Sequence, residues 1–299
     1  YRTEKMVDEQ NPLKQYFRQP SVHISLPSGG KHWPKDSLEL DESGEIPVYP
    51  MTAKDEMLLN TPDALMNGSA TVDVIHSCCP AIKNAWHMPV MDLDTILIGI
   101  RIASYGETMD AKVTVPKINE SQEVQIDLRV MMDQVDRSAF EDIFQLSNGL
   151  VVRLKPFSYK QLTDIQMRTY EEQRLISTVG SSNLTAEEKS AKYTEIFSNM
   201  TKLTLTNMMD SIHSIKVDGK EVVNPMHIQE FAQNMTSKIA GEIREKVASQ
   251  NKLGQIKPIK VKALDEHVAK GAPAEFETPI TLDNSNFFAS RFLRSRSLT

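Results

Sequence analysis

Residues 26–34 read Leu26-Pro27-Ser28-Gly29-Gly30-Lys31-His32-Trp33-Pro34, and the fold of the first hundred residues turns on what this stretch is. A Ser-Gly-Gly-Lys run after a short apolar segment could cradle a phosphate or could simply turn the chain. A phosphate loop of the Walker type needs a first glycine five residues before the second, then Lys, then Ser or Thr for magnesium. Ser25 occupies the first position and His32 the last, so two of four requirements fail. A phosphate site also needs a helix N-terminus aimed at the anion. Trp33-Pro34-Lys35-Asp36-Ser37 opens no helix, because Pro34 biases its predecessor toward extended backbone. Gly-Gly supplies positive φ at little steric cost, which makes this a turn.

Outward from that turn, Val22-His23-Ile24-Ser25-Leu26 alternates as a half-buried strand does, and Ile46-Pro47-Val48-Tyr49 is a second short strand. Short helices follow. Thr52 to Asp55 resembles a capping box, Pro62 suits a first helical position, and Ser69 is expected to cap a helix that runs to Pro80. Leu93 to Ser104, stopped by Gly106, is apolar around most of its circumference and should be central to its domain. Lys112–Val115 and Glu123–Val130 read as strands, with Val124, Ile126, Leu128 and Val130 on one face. Asn148-Gly149 and Asp218-Gly219 mark two hairpins. Between them, Ser158 with Gln161 and Thr185 with Glu188 open helices of about 159–178 and 186–210. Asn224-Pro225 starts a helix whose stripe is Ile228, Phe231, Ala232, Met235, Ile239, Ile243 and Val247, expected to be core. From Gln250 the periodicity weakens, and an extended segment with little core of its own is expected.

These readings predict an α+β protein: an N-terminal arm over 1–19, a small mixed domain over 20–135, a helix-rich region with hairpins over 136–250, and an extended partner-binding tail over 251–299. The chain has 299 residues and a formal charge of −6, which disfavours nucleic acid as main partner. The charge is uneven. Eight Lys and Arg face five Asp and Glu from Gln250 onward, so the end is basic and the body acidic. Trp33, Phe287, Phe288, Arg291, Phe292, Leu293, Arg294 and Arg296 are the candidate partner-binding residues. The four apolar residues of that tail are costly to leave in water, and should dock on a partner or back on the body. Fifteen methionines hint at adaptable interfaces.

Two cysteines, adjacent at 78 and 79, suit a reducing compartment. The longest strongly apolar stretch, Ile96 to Ile100, is far below the roughly 20 residues of a membrane helix, so a soluble, unsecreted protein that contacts no membrane is expected. His76, Cys78, Cys79 and His87 lack a standard zinc spacing, so no metal or cofactor is expected. No serine-nucleophile, His-Glu-x-x-His or dinucleotide motif occurs, and no catalytic residue is assigned.

Three stretches taken in order, QYFRQPSVHISLPSGGKHWP (15–34), IPVYPMTAKDEMLLNTPDALMNGSATVDVIHSCCP (46–80) and ILIGIRIASYG (96–106), resemble the baseplate hub subunit family of T-even-type contractile-tailed bacteriophages. The likeness is best over Tyr16–Gly106, thinner to about Gly254, and absent from the last 45 residues. It implies a structural protein of the virion tail baseplate, made in the host bacterial cytoplasm, that binds other tail and hub proteins and the tape measure and occurs in multiple copies. An assembly chaperone that leaves the particle is the alternative, and an enzyme of unknown class is a second. Family members often carry Cys-x-x-Cys shortly after the Ser-Tyr-Gly segment. Here that stretch is Val113 to Ile118, so a zinc ribbon is not implied and the two strands must hold by packing.

Overall fold

The computed structural model describes residues 12–61, 67–280 and 287–288. The chain is α+β, with small antiparallel sheets and helices arranged around three apolar cores.

The first core begins with β1 (Val22–Ser25) and β2 (Glu45–Val48), paired antiparallel with Ile24 opposite Ile46 and Val22 opposite Val48. Their alternation puts those four side chains on one buried face. Helix α1 (Ala53–Leu59) opens with the expected capping box between Thr52 and Asp55. Helix α2 (Ser69–Cys78) departs from expectation: Ser69 is its first helical residue, the cap is Gly68 at φ 75°, and Asn67 Oδ1 accepts from the Ser69 amide. Helix α3 (Leu93–Tyr105) crosses β1 at Gly99, where an added Cβ would meet Ile24 Cγ2 at 3.0 Å. Its Ile96, Leu97, Ile98, Ile100 and Ile102 are buried, each contributing about 1.5–3 kcal/mol to the collapse.

The hairpin β3 (Thr108–Thr114) and β4 (Ser121–Asp127) follows α3. The expected strand to Val130 ends early. Asp127 accepts from the amides of Arg129 and Val130, and this cap starts helix α4 (Leu128–Asp133), leaving Val130 exposed rather than in line with Ile126.

The second core lies under the sheet β5 (Ile143–Gln145), β6 (Val151–Leu154), β7 (Ile212–Val217) and β8 (Lys220–Val222), ordered β5-β6-β7-β8 and antiparallel throughout. Both hairpin signals hold: Gly149 sits at φ 89°, and Asp218 and Gly219 at φ 49° and 82°. Helices α5 (Tyr159–Ser181) and α6 (Ala186–Asp210) form a long hairpin inserted between β6 and β7, each opened by the expected box. The single helix expected after Asn224 is two. Helix α7 (Pro225–Asn234) stops at Met235, and Thr236 caps α8 (Ser237–Gln250). The stripe survives the break, because Ile228, Ala232, Ile239 and Ile243 all enter the second core with Phe231, Met235 and Val247 beside them.

Beyond Gln250 the chain is more ordered than its weak periodicity suggests. β9 (Ile259–Lys262), helix α9 (Asp265–Ala269) and β10 (Glu275–Thr278) form a small unit, with β9 and β10 paired. Its Val261, Ala272 and Phe276 share a third core with Val113 and Val115 of the β3–β4 hairpin. Half of this core is supplied by the hairpin, with Val113 lying 148 positions before Val261, which periodicity within the segment cannot reveal. Gly254 makes the approach possible: at φ 74°, a Cβ there would lie 1.8 Å from the Met91 carbonyl oxygen.

Candidate functional site

The Gly29-Gly30 stretch is a run of turns, with φ 59° and 78° at the glycines, and what fixes it is a carboxylate 64 residues away. Asp92 precedes α3 but does not cap it. Its Oδ1 accepts from the Ser28 amide at 2.8 Å, and its Oδ2 accepts from Ser28 Oγ at 2.6 Å and from Trp33 Nε1 at 2.8 Å. Asp92 is 0% exposed. Burial pushes its carboxyl up, while the Ser28 and Trp33 bonds and the charge of Arg137 pull the other way. With three donors on two oxygens the group holds the loop in place. Trp33 is half-buried against the first core, so its ring anchors the loop while Lys31 and His32 stay exposed.

A second clamp secures the N-terminal arm. The arm's described part, a 3-10 turn at Pro12–Tyr16, leaves Leu13, Tyr16 and Phe17 at 57–78% exposure. Next to it, Arg18 donates from Nη1 to the Pro50 carbonyl (2.6 Å) and from Nη2 to the Ser77 carbonyl (2.7 Å) and Ser77 Oγ (2.8 Å). It also pairs with the buried Asp55 at 3.4 Å. The arm's aromatic side chains are thus held out in water by a fixed root.

Phe287 and Phe288 do not face solvent. They pack edge to face at 5.0 Å, at 2% and 5% exposure, in the first core. The Arg101 guanidinium lies 5.7 Å from the Phe287 ring and 4.6 Å from that of Tyr105, an arrangement that burial strengthens. Of the two dockings expected for these aromatics, the described structure has them back on the body. Arg291, Phe292, Leu293, Arg294 and Arg296 lie outside the described residues.

The residues with metal-like chemistry are otherwise engaged. His76 Nε2 accepts from the Ala85 amide at 2.9 Å, and burial lowers its pKa. Burial pushes the Cys78 thiol up to about 12, with Asp55 adding to the effect, and burial likewise raises Cys79 well above its ordinary value. Neither is a thiolate at neutral pH. Among the described residues no three His, Cys, Asp or Glu side chains converge as a ligand set, and no helix is long and apolar enough to cross a membrane.

What stands open is surface. The outer face of the four-stranded sheet forms a shallow depression of about 470 Å³ lined by Ile143, Val151, Arg153, Lys216 and Glu221. The α5–α6 hairpin exposes Met167, Tyr170, Leu175 and Phe197. Rooted apolar side chains left in water over several surfaces suit an assembly component. A family model described as "T4 bacteriophage base plate protein" matches residues 19–275. The chain belongs to that family. No curated protein and no solved structure matches it. The match takes in the Asp92 clamp on Ser28 and Trp33, the second core, and most of the first and third cores, while Arg18 with the arm, Phe276, Phe287 and Phe288 lie outside the matched residues of this base plate protein. Membership assigns it a structural role in the base plate of a phage tail, among other tail proteins.

Sequence reasoning singled out Trp33 as a partner-binding candidate, and missed its hydrogen-bond partner Asp92, along with Arg18 and Arg101. Asp92 and Arg18 carry no local signal, since each acts on residues 30 or more positions away. Arg101 was legible only as a charged residue inside an apolar helix, which is itself a hint of a buried contact.

Proposed function

We propose that this base plate protein is a structural subunit of the hub of a contractile, myovirus-type tail, retained in the virion and acting by binding neighbouring tail proteins, the tape measure among them. The carrying observation is the family match over 19–275. The rooted arm agrees with it: Arg18 fixes the backbone beside Leu13, Tyr16 and Phe17, so their exposure is built in. Burying those three side chains against a neighbour would release several kcal/mol, at about 25 cal/mol per Å². The mechanism is docking without chemistry, and it needs no cofactor. Trp33 serves it indirectly by holding the loop at Lys31 and His32 in shape. The basic end, with Arg291, Phe292, Leu293, Arg294 and Arg296, is a further contact for an acidic neighbour.

A second reading, an assembly chaperone that holds hub or tape-measure segments and then leaves, is favoured by the long exposed α5–α6 hairpin. Quantitative mass spectrometry of purified virions separates the two. Stoichiometric presence is expected for the hub subunit, and absence from particles would overturn that reading in favour of the chaperone.

A further inference from the structure

The outer half of the α5–α6 hairpin is built as a two-stranded seam. Between Gln166 and Ser181, the only α5 residues that are not exposed are Thr169, Glu172, Ile176 and Val179, spaced three and four apart. On α6, from Ala186 to Ser198, they are Lys189, Tyr193 and Ile196. This is the spacing of an antiparallel coiled coil. The contacts agree, since Lys189 Nζ donates to the Gly180 carbonyl and the Tyr193 hydroxyl faces Gly180. One seam position is wrong for a finished coiled coil. Glu172 has its Oε2 sealed from solvent, and no donor among the described residues reaches it. A carboxylate oxygen in that state is destabilising unless something completes it.

We infer that the hairpin is an incomplete bundle, and that a helix from another tail protein lies along it and brings a Lys or Arg to the edge of the seam, where the half-buried Glu172 side chain turns outward to meet it. This rests on the base plate reading. The occupant follows from charge and size. The missing partner of a carboxylate is a cation, and the apolar side chains exposed on the same hairpin, Leu175 and Phe197 at 47% and 57%, suit an amphipathic helix. The outer half of the hairpin, Gln166 to Ser181 of α5 or about 24 Å long and about 20 Å wide, offers about 500 Å², the size of a weaker contact to which an ion pair at Glu172 would add. A second copy fits less well, because a two-fold pairing across the seam would set Glu172 against Glu172.

The test uses the full chain. A photocross-linking amino acid at Gln173 is expected, in infected cells, to join the hairpin to a helix of a different tail protein, mapped by mass spectrometry to a segment with a Lys or Arg in reach. Glu172→Leu repairs the seam without the charge. It should raise the thermal midpoint of the isolated chain and lower its incorporation into base plates at least tenfold. Glu172→Lys should also fail to incorporate and be rescued when the partner's cation is changed to Glu. Normal incorporation of Glu172→Leu would overturn the inference and leave Glu172 as a device for hairpin register alone. So would a cross-link only to a second copy, or none in cells where the chain is made. Because the cross-link is read before virions are purified, a chain absent from particles would refute the hub reading and leave this result standing.

Discussion

Asp94 sits in the first turn of α3 and accepts a hydrogen bond from the Ile256 amide at 3.3 Å, tying the helix to the segment that leads into the third core. Burial raises its carboxyl from the ordinary 3.8 to about 6, against the weaker pull of that bond. The folded state therefore keeps a proton that the unfolded chain gives up between pH 3.8 and 6. Stability from this group is fully present below the lower value, falls as pH rises through the window, and is gone above about 6. At about 1.4 kcal/mol for each pH unit, the cost at pH 7 approaches about 3 kcal/mol. Asp94→Asn keeps an oxygen for the Ile256 amide and removes the charge. Urea unfolding at pH 7 should find the variant more stable by up to about 3 kcal/mol, and the gap should close as pH falls toward 4. A variant less stable than the parent at pH 7, or a gap that does not change with pH, would refute the reasoning.

Three more outcomes are expected. Trp33→Phe keeps an aromatic ring but removes a donor from the buried Asp92, and should cost about 1–3 kcal/mol in urea unfolding, with faster hydrogen exchange across 26–34. Phe287→Ala empties a fully buried aromatic site and strips one ring from Arg101, and should cost about 3–5 kcal/mol, read as a lowered thermal midpoint. Gly254→Ala drives a Cβ into the Met91 carbonyl at a φ that strains any side chain, so soluble yield should collapse, whereas Gly149→Ala, open to space, should cost only the strain of its own φ.

Local signals in the sequence were enough to place most elements. Ser158, Thr185, Asn148-Gly149 and Asp218-Gly219 act within four residues of themselves, and each appears in the structure where its chemistry puts it. The misread boundaries were also local, but two signals competed there. The alternation through Val124, Ile126, Leu128 and Val130 outweighed Asp127 on paper, while in the fold the Asp127 cap prevails. Likewise the stripe from Ile228 to Val247 concealed the Thr236 cap. The clamps were not legible. Asp92 reaches Ser28 and Trp33, and Arg18 reaches Ser77, through pairings that only the folded chain brings together. The third core was hidden for the same reason, with Val113 and Val261 contributing halves of one cluster.

The placement of Phe287 and Phe288 has a consequence for how the protein is made. The first core begins at Val22 and closes on Phe287 and Phe288, so it cannot be completed until translation has passed residue 288. A nascent chain shorter than that leaves Arg101 and its neighbours on α3 without their lid, and a ribosome stall or a cleavage before Phe287 yields a product open at that seat. Only copies made past Phe288 therefore reach the cell in a form fit to assemble.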